Sequence, residues 1–127
     1  VRYSPGVKGT TEVVMIDWSR AQELRREIGE EGFAEVVELF LDEVETTIGR
    51  LAAAAGPEVL AEDMHFLKGS AWNLGFVDFG ALCHDGERRA ALGGFGRSDL
   101  ERIMECYAAS KAAFLGDLEK NATPSAA

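Results

Sequence analysis

Apolar side chains recur at three- and four-residue steps through most of this chain, and no stretch alternates apolar with polar residues between turn signals. That period predicts helices and no strands. The clearest case runs from about Gly32 to Ala55, where Phe33, Val37, Phe40, Val44, Ile48 and Leu51 form one inward stripe. A shorter helix precedes it: Ser19 and Gln22 have the spacing of a capping box, Leu24 and Ile28 face inward, and Gly29 ends the element.

Gly56-Pro57 separates the long helix from the next, because glycine suits a helix end and proline the first position of the helix that follows. The next helix extends to Leu74 and stops at Gly75. Asp78 is the expected N-cap of a further helix that carries Leu82, Cys83 and Ala90 and ends at Gly93-Gly94. Ser98 and Glu101 form a second capping box, opening a last helix with Leu100, Ile103, Met104, Tyr107, Phe114 and Leu118 on one stripe. Connections this short make the longer helices neighbours. The expected fold is all-α: an antiparallel up-down four-helix bundle with a short additional N-terminal helix. Residues 1–14 are expected to form a flexible leader, 15–120 the bundle and 121–127 a flexible tail. Met15 is a candidate start, and the short ends favour a free-standing domain.

Composition agrees with this scheme and removes several function classes. At 127 residues and 46% hydrophobic content, the chain can bury one core without disulfide or metal staples. Cys83 and Cys106 lack metal-ligand or CxxC spacing and read as buried, reduced thiols. No apolar run approaches the ~20 residues of a membrane span, and no signal-peptide pattern is present, so a cytoplasmic location is expected. With 13 Lys and Arg against 22 Asp and Glu, the formal charge is −9, which repels a nucleic-acid backbone.

The third of these five predicted helices carries the chemistry. A helix advances about 100° per residue, so Leu60, Met64, Ala71 and Leu74 fall within roughly 60° of Leu67 and form a buried seam. His65 lies about 160° from Leu67 and faces outward, with Lys68 and Gly69 as its surface neighbours. A neutral imidazole, with an ordinary pKa near 6.5, is a nucleophile that can attack phosphorus. Lys68 can meet phosphoryl oxygens as a mobile point charge. Gly69 removes bulk beside the histidine and lets a partner approach, at a cost of about 1 kcal/mol relative to alanine in mid-helix. Trp72 lies about 140° from Leu67, on the histidine's side, where it either joins a docking patch with Ala61 and Glu62 or packs on a neighbouring helix. Phe76 is expected to pack into the connection after Gly75, and Ser70, nearer the seam, takes a supporting structural role.

These residues resemble the signature of the histidine-containing phosphotransfer (HPt) family, His-x-Leu-Lys-Gly-Ser followed by Leu-Gly, read here as His65, Leu67, Lys68, Gly69, Ser70, Leu74 and Gly75. The likeness extends from about Ile16 to Glu119, including Ile16-Asp17-Trp18, the helix beginning near Phe33 and the Leu82-Cys83 helix. It implies a phosphocarrier, without kinase activity of its own, that accepts phosphate on His65 from a receiver-domain aspartate and passes it to another receiver. The implied partners are response-regulator receivers and a hybrid sensor kinase of bacterial-type two-component signalling, met by a monomer. Lys68 becomes the phosphate contact and Gly69 the clearance for the receiver. A Glu or Gln on the following helix often lies near the histidine in this family; Glu87 holds the comparable place and is carried as an imidazole-orienting residue. No cofactor or metal is expected in this chain, and magnesium is expected in the receiver. One departure is Met64, where the family commonly has alanine; it is assigned to the seam.

Two other readings compete. Glu62-Asp63-Met64-His65 contains the Glu-x-x-His pattern of di-metal carboxylate bundles, but such a centre needs two copies, and the residue three before His84 is Ala81. A non-catalytic adaptor that binds receivers without carrying phosphate would use the same surface. His84 reads as a surface or structural residue and Arg88-Arg89 as a solvated face.

Overall fold

The computed structural model describes residues 16–52 and 57–122, so the expectations for the leader, for the Ala55-Gly56 boundary and for the end of the tail lie outside the described residues. Four helices follow one another: α1 (Trp18–Ala52), α2 (Pro57–Leu74), α3 (Val77–Ala91) and α4 (Arg97–Ala122). Packing runs α1 on α2, α2 on α3, α3 on α4 and α4 back on α1, the closed circuit of a four-helix bundle, with α2 and α3 in the most extensive contact. The all-α expectation holds. The short helix predicted ahead of the long one is the first part of α1, set off by a break at Gly29, where φ is 84° and ψ is 167°.

Aromatic rings hold the centre. Phe76, fully buried in the α2–α3 connection, lies 4.9 Å from Phe40 of α1 and 5.2 Å from Phe114 of α4 between ring centroids. One side chain thereby joins the connection to both outer helices. Phe79 packs 5.2 Å from Tyr107, and Trp18 stacks on Phe114 at 5.0 Å. Burial pushes the Tyr107 phenol upward, as does the bond its hydroxyl donates to Glu45 at 2.8 Å. Val37, Val44, Leu51, Met64, Leu67, Ala71, Leu74 and Ile103 complete the core, with Cys83 and Cys106 buried and not joined in a disulfide.

Helix starts differ from the sequence expectation in each case where a cap was assigned. Asp17, not Ser19, caps α1, accepting the Arg20 backbone N–H on Oδ1 at 3.1 Å. The cause is tertiary: Ile16 pairs with Phe76 as an isolated bridge, and the Asp17 N–H donates to the Gly75 carbonyl at 2.8 Å, so the extended backbone ends there. At α3 the flanking residue is Phe76, without a side-chain cap; Asp78 sits inside the first turn, where its charge still favours the helix N-terminus. Burial of Phe76 draws the helix start forward. At α4 the first residue is Arg97, and Asp99 reaches back to accept the Gly96 N–H at 2.8 Å, leaving Ser98 within the helix. The end of α3 follows expectation: Gly93 adopts φ 80°, and the Gly94 N–H closes on the Arg89 carbonyl at 2.8 Å.

Two core assignments also fail. Ile28 is 40% exposed: it is the last residue before the break at Gly29, and its side chain lies beside Gly32, outside the core cluster. Met104 is 41% exposed, since the α4 stripe centres on Ile103, Tyr107, Ser110 and Phe114, about 100° away from it at Ile103.

Candidate functional site

The seam of α2 settles which face is left for chemistry. Met64, Leu67, Ala71 and Leu74 are buried and Leu60 is partly buried against them, so the opposite side of the helix carries His65 outward. Its side chain is 68% exposed. Lys68, one turn on, lays its stem along the protein and is largely covered.

Glu87 of α3 joins these two side chains. Its Oε2 lies 3.0 Å from His65 Nδ1, and its Oε1 accepts from Lys68 Nζ at 2.8 Å. The Lys68 bond, chiefly, holds the Glu87 carboxyl below the usual carboxylate range; partial burial opposes this, and the His65 bond adds to it. An ionised carboxylate can only accept, so the neutral imidazole must carry its proton on Nδ1. Nε2 then keeps its lone pair. The orienting position considered for Glu87 is therefore within hydrogen-bond reach of the ring, and it also engages the lysine, a link the sequence did not suggest.

Close approach of α2 and α3 makes that bridge possible. A Cβ at Gly80 would collide with the indole of Trp72, and one at Gly86 would lie 2.9 Å from Met64 Sδ and 3.3 Å from Ile103 Cδ1. These two glycines let α2 side chains lie directly on the α3 backbone, and Glu87 follows Gly86 in sequence. Met64 thus occupies the seam as assigned, in space opened by Gly86. Neither glycine was singled out from sequence, although mid-helix glycine costs about 1 kcal/mol, the signal that drew attention to Gly69.

Gly69 is different in kind: among the described residues, a Cβ there would meet nothing within 4 Å beyond its own turn of helix. The surface beside His65 is open. Trp72 is 44% exposed, with its ring 6.1 Å from that of His84, so it both packs on α3 and shows an edge to solvent. Glu62 is exposed and Ala61 half-buried. Ser70 is half-buried and forms no hydrogen bond with His65, Lys68 or Glu87. Arg88 is exposed, whereas Arg89 pairs with Asp99 of α4 at 3.1 Å.

The carboxylates of the Glu-x-x-His segment point elsewhere. Asp63 is buried and bonded to Arg50 of α1 at 2.9 Å, an interhelix pair that sequence reading missed because its partners are far apart in the chain. Among the described residues no three His, Cys, Asp or Glu side chains form a group able to hold a metal ion. No helix among them is long and apolar enough to cross a membrane.

A histidine on the outer face of a four-helix bundle, with a cation one turn away and open space beside it, defines a class of phosphate-carrying bundle. The family model of the Hpt domain matches residues 35–113, more than half of the 127-residue chain. The chain belongs to the Hpt domain family, whose members carry phosphate on histidine in two-component phosphorelays and interact there with receiver domains. Searches of curated proteins and of solved structures returned no match.

Proposed function

We propose that His65 takes a phosphoryl group from the aspartate of one receiver domain and gives it to the aspartate of another. The observation that carries this reading is the exposed imidazole with Nδ1 held 3.0 Å from Glu87, which leaves Nε2 as the nucleophile facing the partner. Transfer in begins with the Nε2 lone pair approaching phosphorus while the bond to the aspartyl oxygen lengthens. Lys68 is one turn from His65 and 2.8 Å from Glu87, so its ammonium can exchange the carboxylate for phosphoryl oxygens as the group arrives. Gly69 leaves the approach free of side chain, and Trp72, Ala61 and Glu62 border the footprint of the docked receiver. Magnesium belongs to the receiver in this scheme. The protein acts as a cytoplasmic monomer of bacterial-type signalling, downstream of a hybrid sensor kinase, and has no kinase activity of its own.

Incubation with a phosphorylated receiver tests the reading. The wild-type chain gains acid-labile, base-stable phosphate, and His65→Gln gains none. Label on that variant would move the site to another residue. Lys68→Ala keeps its fold, by circular dichroism, and is labelled more slowly; an unchanged rate removes Lys68 from the site.

A further inference from the structure

Glu87 touches the ring nitrogen that does not carry phosphate, and this matters most after the group has arrived. Building on the phosphocarrier reading, we propose that Glu87 keeps the phosphorylated ring protonated at Nδ1, so that His65 can release its phosphoryl group as a neutral imidazole at and above neutral pH. Glu87 is then a positioning residue for the outgoing step as well as the incoming one.

The electron count shows why the proton matters. On arrival, the Nε2 lone pair forms the N–P bond while the P–O bond to the donor aspartate breaks and its pair leaves on the carboxylate oxygen. No proton moves, and the ring, still bearing its Nδ1 proton, becomes a cation. On departure, a carboxylate oxygen of the acceptor forms the new P–O bond, the P–N pair returns to Nε2, and the ring is again a neutral imidazole. Had the Nδ1 proton been lost in between, the same cleavage would expel an imidazolide anion, a far poorer leaving group.

The geometry opposes that loss. A carboxylate 3.0 Å from Nδ1 accepts its proton in a charge-assisted hydrogen bond and stabilises the cationic ring. Glu87 stays ionised from neutral pH upward even after Lys68 has turned to the phosphoryl oxygens, since the ordinary value of its carboxyl, 4.5, already lies well below that range. On α2, the other charged side chains within a turn of His65 are Glu62, Asp63 and Lys68, of which Asp63 is buried and bonded to Arg50. The facing helix α3 contributes His84 and Arg88 besides Glu87, and His84 is engaged with Trp72. On α1, Asp42, Glu43 and Arg50 line a groove with Phe66, and Arg20 bonds Asn73 of α2. Of these groups only Glu87 bonds the ring.

Protein labelled with ¹⁵N and phosphorylated with phosphoramidate gives the Nδ1 protonation state directly, from the imidazole ¹⁵N shifts across pH 5–9. Glu87→Gln, nearly isosteric, is expected to lose the Nδ1 proton about one pH unit lower than wild type, in line with the effect of a near opposite charge. Its transfer to an accepting receiver is expected to be about tenfold slower at pH 8 and similar to wild type at pH 6. Lys68→Met separates the bridge's two halves: it retains the Glu87–His65 bond, so its Nδ1 titration does not move to lower pH. Superposable titrations and pH–rate profiles for wild type and Glu87→Gln would overturn the proposal while leaving the phosphocarrier reading in place. A wild-type chain that takes no phosphate on His65 from phosphoramidate or a receiver would overturn both. Amide spectra of each variant verify the fold before the comparison.

Discussion

Replacing Gly69 with alanine separates what a residue does for the fold from what it does for a partner. Among the described residues, a Cβ at this position meets no atom within 4 Å beyond its own turn of helix, so the new methyl causes no clash there. The backbone there is ordinary α-helix, and alanine is favoured over glycine in that setting by about 0.5–1 kcal/mol. Since 1 kcal/mol moves the midpoint of a ~100-residue domain by about 4–8 °C, Tm should rise by about 2–8 °C. Phosphotransfer should move the other way. The methyl stands on the open surface next to His65, and a receiver held back by even ~1 Å from its in-line position can lose up to ~100-fold in rate. Thermal unfolding by circular dichroism and receiver-to-protein transfer kinetics, run on the same preparation, read both effects. A lower Tm would show that the position is not open, whereas a higher Tm with unchanged transfer would show that no partner approaches there.

Gly75→Ala should be damaging for the opposite reason: the residue has φ 96°, and a Cβ would lie 2.6 Å from the Asp17 carbonyl oxygen. Left-handed strain of about 1–2 kcal/mol and a lost backbone hydrogen bond of about 1 kcal/mol predict a Tm lower by more than ~8 °C; a shift within 3 °C of zero, about half the effect of 1 kcal/mol, would contradict the geometry. Acid stability is a further check. Glu45, bonded to Lys111 at 2.7 Å and to Tyr107, and Glu87, bonded to Lys68, both have folded-state pKa values below their ordinary 4.5. Each stabilises the fold above its unfolded pKa and loses that contribution as pH falls through the folded value, so urea midpoints should drop below about pH 4.5. The drop should be shallower in Glu45→Gln, and an identical pH profile would remove Glu45 from the account.

What the sequence made legible was whatever depends on neighbours three or four residues apart. The α2 seam, the outward turn of His65, the breaks at Gly29, Gly75 and Gly93, and the inward run from Phe33 to Leu51 are all local patterns, and the fold preserves them. Helix starts were less legible because they were decided by distant contacts. Asp17 caps α1 in a chain whose serine at position 19 has better cap spacing, since the backbone just before it is tied to Gly75 and Phe76 from another part of the molecule. Met104 shows a further limit: an apolar residue at the margin of a stripe cannot be assigned inward until the partner helix is in place.

At the site, His65, Lys68 and Gly69 could be proposed from α2 alone. The bridging role of Glu87 and the spacing set by Gly80 and Gly86 depend on how near α3 comes, which no periodicity encodes. A glycine in mid-helix can face open space, as at Gly69, or make room for a neighbouring side chain, as at Gly86. Only the packing distinguishes them.

Trp72 has an optical consequence. The chain holds two tryptophans: Trp18 is stacked on Phe114, while Trp72 is 44% exposed and lies about 10 Å along the helix axis from His65. With Trp18 replaced by phenylalanine, the emission of the protein would come from a single indole at the margin of the proposed docking face. Receiver binding could then be followed by the colour and intensity of that emission, without any attached dye.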